Sequence, residues 1–315
     1  MITHEGETIA MGKGSRPNRH YAIPFEPPPA NTDHVKTKFL DVPYASPSQA
    51  QKLDIYLPDE GKGRFPVIVW IHGGAFMGGD KADLQVLPPL EGLKRGYAVV
   101  SINYRLSGEA RFPALVHDAK AAIRWIRANA RIYHFDPSGI AAWGGSAGGY
   151  LALMLGTSAG VRKLEGLSMG NPDQSSTVQA VVDWYGPSDF LKMDEQLEES
   201  GLRPLPGMEH NGADSPESLL LGRKITEVPE QVRAANPLTY VQPKAPPFLI
   251  QHGTRDATVP VQQSVVAAAV LKAVLGDGMV ALKLLEGAGH GDKRFETPEN
   301  VNRVMDFLDK HLKSD

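Results

Sequence analysis

The chain has 315 residues, of which 42% are hydrophobic, and it contains no cysteine. The lack of cysteine excludes disulfide bonds, thiol catalysis and thiolate metal sites. Lys and Arg total 33 and Asp and Glu total 36, a formal net charge of −3. This balance gives no electrostatic reason to expect a nucleic acid or an acidic membrane as a partner.

Residues 1–33 predict an N-terminal extension ahead of a single domain over residues 34–315. The segment FEPPPANTD contains three consecutive prolines, which favour an extended, solvated backbone. The extension can be a surface tail or an arm that contacts another subunit, and an oligomer stays possible. The first twenty residues lack the apolar core of a signal peptide, and no apolar run approaches the roughly 20 residues that span a bilayer. We therefore expect a soluble protein, with the cytoplasm favoured and secretion possible if a signal peptide has been removed.

Seven stretches then predict strands. The first, KLDIYLP, alternates Leu53, Ile55 and Leu57 on one face and predicts a half-buried strand. FPVIVWIHG and YAVVSINYR are continuously apolar, which is typical of strands that are covered on both faces in a parallel sheet. The remaining four, in chain order, are GIAAWGG, VQAVVDWYG, PPFLIQHGT and MVALKLLEG.

Helical patterns separate these strands. Apolar residues recur every three or four positions between Pro113 and Arg131, and YLALMLG continues a second helix. VQQSVVAAAVLKAVLG predicts a third helix that ends at Gly276. Thr297 and Pro298 suit the N-cap and first turn of a fourth. The alternation predicts an α/β fold with a mostly parallel central sheet flanked by helices. Residues 188–242 are too long and polar for a simple connection and predict an inserted, lid-like segment.

A single serine lies among four glycines in WGGSAGGY. Gly144 to Gly148 match the pattern G-x-S-x-G between a predicted strand and a predicted helix. In that context a sharp turn lifts the hydroxyl of Ser146 above the sheet, and the glycines let neighbouring backbone pass close by. We therefore interpret Ser146 as a nucleophile.

A serine nucleophile needs a base, and the base needs a carboxylate that orients it. His290 follows the last predicted strand, and Asp256 follows the strand before it. Both loops leave the carboxyl ends of strands, as Ser146 does, and in open α/β sheets that edge forms the ligand crevice. Asp189 also follows a strand and stays an alternative acid. Its other interpretation is a turn residue that binds its own backbone.

Acyl transfer also requires donors for an oxyanion. The segment WIHGGAFMGGDK supplies Gly73 and Gly74 directly after a strand, and the amide of Ala147 lies at the start of the following helix. These three amides predict an oxyanion hole, and His72 is interpreted mainly as a residue that braces the loop. Several aromatic residues near strand ends are candidates to flank a substrate, although they are as often part of a core. They are Phe76, Tyr150, Trp184, Tyr185 and Phe190.

These motifs resemble the α/β-hydrolase superfamily, in particular its esterase branch with an HGG oxyanion loop. The branch includes hormone-sensitive-lipase-like and bacterial feruloyl-esterase-like carboxylesterases. The resemblance rests on VIVWIHGGAFMGGDK, AAWGGSAGGYLALML, WYGPSDF, HGTRDATVPVQQS and GAGHG, spread over residues 50–312. It implies Ser146 as nucleophile, Asp256 as acid, His290 as base, and Gly73, Gly74 and Ala147 as oxyanion donors. Lipase-like members often carry a third glycine where this chain has Ala75, so the feruloyl- and acetyl-esterase-like enzymes fit better.

The function expected from this reading is hydrolysis of short-chain or aryl carboxylic esters, including feruloyl or acetyl esters, through an acyl-enzyme. The substrate would be a small molecule or an ester linked to a polysaccharide, and no metal or organic cofactor is expected. One alternative is a serine peptidase of the prolyl-oligopeptidase type. Another, from a different class, is a non-catalytic ligand receptor on a hydrolase fold.

Overall fold

The computed structural model describes residues 28–61, 63–204 and 209–313, and these residues form one eight-stranded sheet. The strand order is β1-β2-β4-β3-β5-β6-β7-β8. Strand β2 pairs antiparallel with both β1 and β4. The neighbouring strands in the order β4-β3-β5-β6-β7-β8 all pair parallel. This confirms the predicted α/β fold with a mostly parallel sheet flanked by helices.

The strands are β1 Thr37–Pro43, β2 Lys52–Leu57, β3 Phe65–Ile71, β4 Ala98–Ile102, β5 Phe135–Gly145, β6 Ala180–Trp184, β7 Phe248–Gly253 and β8 Val280–Leu285. The helices are α1 Leu87–Leu90, α2 Ala114–Ala128, α3 Ala130–Tyr133, α4 Ala147–Thr157, α5 Met193–Glu199, α6 Pro216–Leu221, α7 Pro229–Ala235, α8 Gln262–Leu275 and α9 Pro298–Leu312. The helix predicted between Pro113 and Arg131 is split at Asn129 into α2 and α3.

The sheet separates two apolar layers because successive side chains of a strand point to opposite faces. Val67, Val69 and Ile71 of β3 pack in the layer covered by α2, α4 and α8. Ile68 and Trp70 pack in the layer covered by α9. Burial on both sides explains why the central strands are apolar at nearly every position.

The half-buried strand predicted over KLDIYLP is wrong in one respect, because β2 is buried on both faces beyond its first residue. Tyr56 packs in the second apolar layer. Asp54, only 1% exposed, is paired with Lys81 Nζ at 3.0 Å. The polar residues of the alternating pattern are therefore covered rather than solvated.

The ends of the helices follow the chemistry of their sequences. Thr297 accepts a hydrogen bond from the amide of Asn300 and caps α9, with Pro298 in the first turn. Helix α8 stops at Gly276, whose φ of 86° suits glycine. Both boundaries confirm the sequence prediction.

The segment 188–242 contains α5, α6 and α7 and lies over the carboxyl edge of the sheet. Four of its residues, Pro204, His210, Pro216 and Glu217, line the same cleft as Ser146. Its position therefore agrees with an insertion above the site, and its action as a lid stays a prediction.

Most of the predicted N-terminal extension, residues 1–27, lies outside the described residues. Its last part runs beside the loop after β3, where the amide of Ala30 donates to the Ala82 carbonyl and the Leu84 amide donates to Pro28. The boundary predicted at residue 33 stays a prediction. In the described part of the chain, every helix is too short or too polar to cross a bilayer.

Candidate active site

Ser146 lies on a tight turn between β5 and α4. Its backbone has φ 56° and ψ −120°, a conformation that costs on the order of 1–3 kcal/mol for a residue with a side chain. The turn is held by two backbone hydrogen bonds, from Ser146 to the Trp184 carbonyl at 2.8 Å and from Tyr150 to the Ser146 carbonyl at 2.9 Å. The strand and the helix thus force the serine hydroxyl out at the edge of the sheet.

The glycines around Ser146 permit close backbone packing. A methyl group on Gly148 would overlap the carbonyl oxygen of Ile71 at the end of β3. A methyl group on Gly144 would overlap the backbone of Gly148. The G-x-S-x-G spacing is therefore required where the turn crosses the neighbouring strand.

The structure brings Ser146, His290 and Asp256 into one hydrogen-bonded line. His290 Nε2 lies 2.9 Å from Ser146 Oγ, and His290 Nδ1 lies 2.7 Å from Asp256 Oδ2. The three residues come from the loops after β5, β7 and β8, which all leave the same edge of the sheet. The arrangement can carry a proton from the hydroxyl to the imidazole while the carboxylate holds the ring.

Asp256 is fully buried and heavily hydrogen-bonded. Its Oδ1 accepts from the amides of Thr258 and Val259 at 2.8 and 2.9 Å. A second histidine, His252, approaches its Oδ2 at 3.3 Å. Burial opposes ionisation of Asp256, but the two histidines outweigh burial and hold the pKa of the carboxyl below its ordinary value. The carboxylate is therefore ionised at neutral pH and is fixed in orientation.

Asp189, the alternative acid, has a different role in the structure. Its Oδ1 accepts from the amide of Leu191 at 3.2 Å and caps a short 3-10 helix over Phe190–Lys192. Its own amide donates to Gln263 Oε1 at 2.7 Å. These bonds match the interpretation of Asp189 as a turn residue. The carboxylate that contacts His290 is that of Asp256.

The glycine loop after β3 lies beside Ser146, but one of its predicted donors is already occupied. The amide of Gly73 donates to Gln85 Oε1 at 2.9 Å, so the expectation that it faces an oxyanion is wrong. Among the described residues, the amides of Gly74 and Ala147 have no hydrogen-bond partner. Ala147 is the first residue of α4, where backbone donors lack intrahelical acceptors. Gly74 and Ala147 are therefore the two predicted donors that can receive an oxyanion.

His72 braces this loop from inside the core. It is 1% exposed, stacks on the Tyr104 ring at 4.6 Å, and its Nδ1 lies 2.7 Å from the Gly73 carbonyl. Since a carbonyl only accepts, Nδ1 carries the proton of the neutral ring. Burial lowers the pKa of His72, which favours that neutral form.

The predicted substrate-flanking aromatics fall into two groups on opposite faces of the sheet. Phe76 lines the cleft beside Ser146, and the rings of Tyr150 and Phe190 pack behind it at 5.4 and 6.0 Å. Trp184 lies in the other layer, against Trp70 and Trp143. The expectation that Trp184 flanks a substrate is wrong, because its side chain lies on the face of the sheet opposite to Phe76 and away from the cleft.

Tyr185, the residue after Trp184, contacts the site. Its ring packs edge-on against His290 at 4.8 Å and is supported by Phe295 at 4.5 Å. It adopts a positive φ of 46°, which turns the chain at the end of β6. Tyr185 therefore supports the imidazole from the side. It is not among the described residues that line the cleft.

The cleft has an empty volume of about 540 Å³, including space open to solvent. Apolar side chains form most of its described wall, and His210 and Glu217 are its charged members. Among the described residues, no group of three or more His, Asp or Glu side chains is placed to hold a metal ion.

The family model named BD-FAE matches residues 53–271, which include the glycine loop, Ser146 and Asp256. The chain belongs to the BD-FAE family. His290 lies beyond the matched range, in the loop after β8.

Relatives of this BD-FAE chain are esterases by name. It is 32% identical to Esterase LipQ of Mycobacterium tuberculosis over 91% of its own length and 65% of that protein. The chain spans between 49% and 65% of the length of the first three curated relatives that it matches.

Two solved structures are similar throughout the domain. A truncated carbohydrate esterase from gut microbiota matches with a TM-score of 0.80 and 34% identity, covering 91% of this chain and 99% of that one. A bifunctional GH43-CE protein of Bacteroides eggerthii matches with a TM-score of 0.78 and 36% identity, covering 87% of this chain and 35% of that one. Both support the α/β-hydrolase fold of the BD-FAE chain.

Sequence reasoning missed four side chains of the BD-FAE site. His252 and Gln85 bind the predicted residues Asp256 and Gly73, whereas His210 and Glu217 form part of the cleft wall. His252 lies near the end of β7, a strand that the sequence identified, so its position at the sheet edge was a usable signal. His210 and Glu217 lie in the irregular insertion, where no periodicity indicates which residues turn inward.

Asp183 lies beneath the serine turn of the BD-FAE chain and is fully buried. Its Oδ1 accepts from the Gly186 amide at 2.8 Å, and its Oδ2 has no hydrogen-bond partner among the described residues. Burial raises the pKa of this carboxyl to about 7. Asp183 therefore holds its proton in the folded state at pH values where the unfolded chain has released it.

We expect Asp183→Asn to flatten the pH dependence of stability between about pH 4 and 7. In that window the folded wild type binds more protons than the unfolded chain, so its free energy of unfolding falls as pH rises. The slope from this one group is at most about 1.4 kcal/mol per pH unit. Urea unfolding at several pH values measures it, with exposed Asp173→Asn as the control. Parallel curves for wild type and Asp183→Asn would contradict the assignment.

Proposed function

We propose that the protein is a serine carboxylic-ester hydrolase that acts through an acyl-enzyme. The observation that carries this proposal is the contact of His290 with both Ser146 and Asp256, at 2.9 and 2.7 Å. The names of the relatives support the same activity, since LipQ and the gut carbohydrate esterase are both described as esterases.

In the first half of the reaction, Ser146 Oγ attacks the ester carbonyl carbon and its proton passes to His290 Nε2. The carbonyl oxygen becomes an oxyanion, which the amides of Gly74 and Ala147 stabilise. Asp256 keeps the proton of the neutral imidazole on Nδ1 and stabilises the imidazolium that forms. The C–O bond to the alcohol then breaks, and the alcohol leaves with the proton from Nε2.

In the second half, a water molecule takes the place of the alcohol. His290 accepts a proton from the water as its oxygen attacks the acyl carbon, and the same amides bind the new oxyanion. The bond to Ser146 Oγ breaks, and His290 returns the proton to the serine. The carboxylic acid leaves, and the site is restored.

The cleft supports short-chain or aryl esters as substrates. Phe76, Ala257 and Val259 give it an apolar wall beside Ser146, which suits a small acyl or aryl group. The similarity to a carbohydrate esterase supports an acetyl or feruloyl ester linked to a polysaccharide as the natural form.

A substrate panel tests the proposal. It contains p-nitrophenyl esters from acetate to dodecanoate, methyl ferulate, acetylated xylan and a peptide p-nitroanilide. We expect kcat/KM to be highest for acyl chains of four carbons or fewer or for the ferulate. Turnover confined to chains of eight carbons or more would overturn the substrate class, and a preference for the peptide amide would overturn ester hydrolysis.

A further inference from the structure

His210 and Glu217 form a buried charged pair in the wall of the cleft. Their side chains are 7% and 5% exposed, and His210 Nδ1 lies 3.2 Å from Glu217 Oε1. This is an ion-pair distance, although the hydrogen-bond alignment is poor. Both residues come from the insertion, yet they line the same cleft as Ser146. Neither has a part in the proton transfers described above.

The backbone fixes which nitrogen of His210 faces the glutamate. His210 Nε2 lies 2.8 Å from the Thr258 carbonyl, which only accepts, so Nε2 carries a hydrogen. The His210 amide is held in turn by Asp194 Oδ1 at 2.9 Å. These two bonds leave Nδ1 on the side of Glu217, 3.2 Å from its Oε1. Thr258, which holds Nε2, lies two residues from Asp256.

A proton is required between Nδ1 and Glu217, because an unprotonated nitrogen and a carboxylate at this distance repel each other. Burial alone would lower the pKa of His210, but Glu217, the Thr258 carbonyl and Asp194 outweigh it and raise the pKa. The pair therefore carries an imidazolium and a carboxylate, with no net charge.

One oxygen of this carboxylate lacks a partner. Among the described residues, Glu217 Oε2 is buried and accepts no hydrogen bond. Most buried polar atoms are paired, since leaving one unpaired costs stability. Since Glu217 also lines the cleft, its carboxylate is placed to accept a hydrogen bond from a molecule bound there.

We propose that Glu217, held by His210, accepts a hydrogen bond from a hydroxyl of the substrate and thereby selects hydroxylated esters. This inference rests on the proposed function, because it assigns part of the substrate that Ser146 attacks. The hydroxyl can belong to the alcohol, as in an acetylated sugar, or to the acyl group, as in a hydroxycinnamate. In both cases the recognised group is an uncharged hydroxyl donor.

Paired substrates separate these two sources. One arm compares a mono-O-acetyl methyl xyloside with cyclohexyl acetate, and the other compares methyl 4-hydroxycinnamate with methyl cinnamate. The quantity measured is the ratio of kcat/KM within each pair. In the wild type we expect the hydroxylated member to be preferred in one arm, and that arm identifies the source.

Two substitutions test the residue. Glu217→Leu removes the acceptor and is expected to lower the ratio in the preferred arm by about 10- to 100-fold, the range for a hydrogen bond to a charged group. Glu217→Gln keeps an oxygen but loses the charge and is expected to give a smaller decrease. Glu227→Gln is the matched control, because Glu227 lies in the same insertion and is exposed. If Glu217→Leu does not fold, the result for Glu217→Gln decides.

The outcomes distinguish this inference from the proposed function. Ratios that are the same in Glu217→Gln, Glu217→Leu and wild type, in an enzyme that hydrolyses p-nitrophenyl acetate, would overturn the role of Glu217 alone. A wild type that hydrolyses no ester would overturn both proposals. An equal decrease for both members of each pair would show that Glu217 only supports the fold of the cleft, and would also overturn the inference.

Discussion

Ser146→Ala is expected to lower kcat for p-nitrophenyl acetate by about 10⁴-fold or more while the protein keeps its fold. The substitution removes the oxygen that lies 2.9 Å from His290 Nε2, so no acyl-enzyme can form. The positive φ of Ser146 is as strained for alanine as for serine, so the turn gains no new cost. Steady-state kinetics measure the loss, and circular dichroism with thermal unfolding measures the fold.

Ser175→Ala is the matched control for this experiment. Ser175 is exposed and precedes β6, so it lies near the opposite edge of the sheet from Ser146. The Ser175→Ala variant should retain wild-type turnover. A fluorophosphonate probe should label wild type and Ser175→Ala at Ser146 and leave Ser146→Ala unlabelled. Retained turnover in Ser146→Ala would rule out Ser146 as the nucleophile, and an unlabelled, inactive wild type would favour the ligand-receptor alternative.

The sequence was sufficient to predict that Ser146 and His290 lie at one edge of the sheet with Asp256, although Asp189 satisfied the same rule. Each follows a strand of a sheet that alternation with helices identifies as parallel, and parallel strands bring their carboxyl ends to one edge. This rule needs only the order of the elements, and local details do not change it. The contacts of His290 with the other two residues agree with it, and their catalytic roles stay proposals.

Details that depend on side-chain direction were harder to predict. Trp184 is the last residue of β6, and Tyr185 follows it with a positive φ of 46°, so the alternation of the strand no longer applies to Tyr185. Tyr185 reaches His290, whereas Trp184 packs against Trp70 and Trp143. Both rings also contact Phe295 in the second apolar layer. The aromatic character of both residues is visible in the sequence, but it does not indicate where the strand ends and the alternation stops.

The oxyanion loop gives a second example. The HGG pattern indicates a loop that approaches the serine, but it does not indicate which amides stay unpaired. Gln85, twelve residues after Gly73, reaches back to accept the Gly73 hydrogen bond at 2.9 Å. Such a contact depends on the path of the loop and on one side-chain conformation. No periodic pattern in the sequence indicates either of them. The His210–Glu217 pair could not be predicted for the same reason, because it lies in an irregular insertion.

Asp256→Asn is expected to lower kcat/KM by roughly 10³–10⁴-fold, through the tautomer of His290. Asp256 Oδ1 accepts from the amides of Thr258 and Val259, so an asparagine at this position will place its carbonyl oxygen there. Its NH₂ group must then occupy the position of Oδ2, 2.7 Å from His290 Nδ1. A donor at that position forces Nδ1 to accept, so the imidazole proton moves to Nε2. A protonated Nε2 cannot accept the proton of Ser146. Initial rates across the ester panel measure the loss.

Asp189→Asn is the matched control, since asparagine keeps the oxygen that caps the 3-10 helix through the Leu191 amide. We expect its kcat/KM to stay within about two-fold of wild type, because surface caps act on local stability by about 1 kcal/mol rather than on the proton transfer. If Asp189→Asn abolished turnover while Asp256→Asn largely spared it, the acid would be Asp189. The contact between His290 and Asp256 would then be a structural feature only, and the tautomer argument would fail with it.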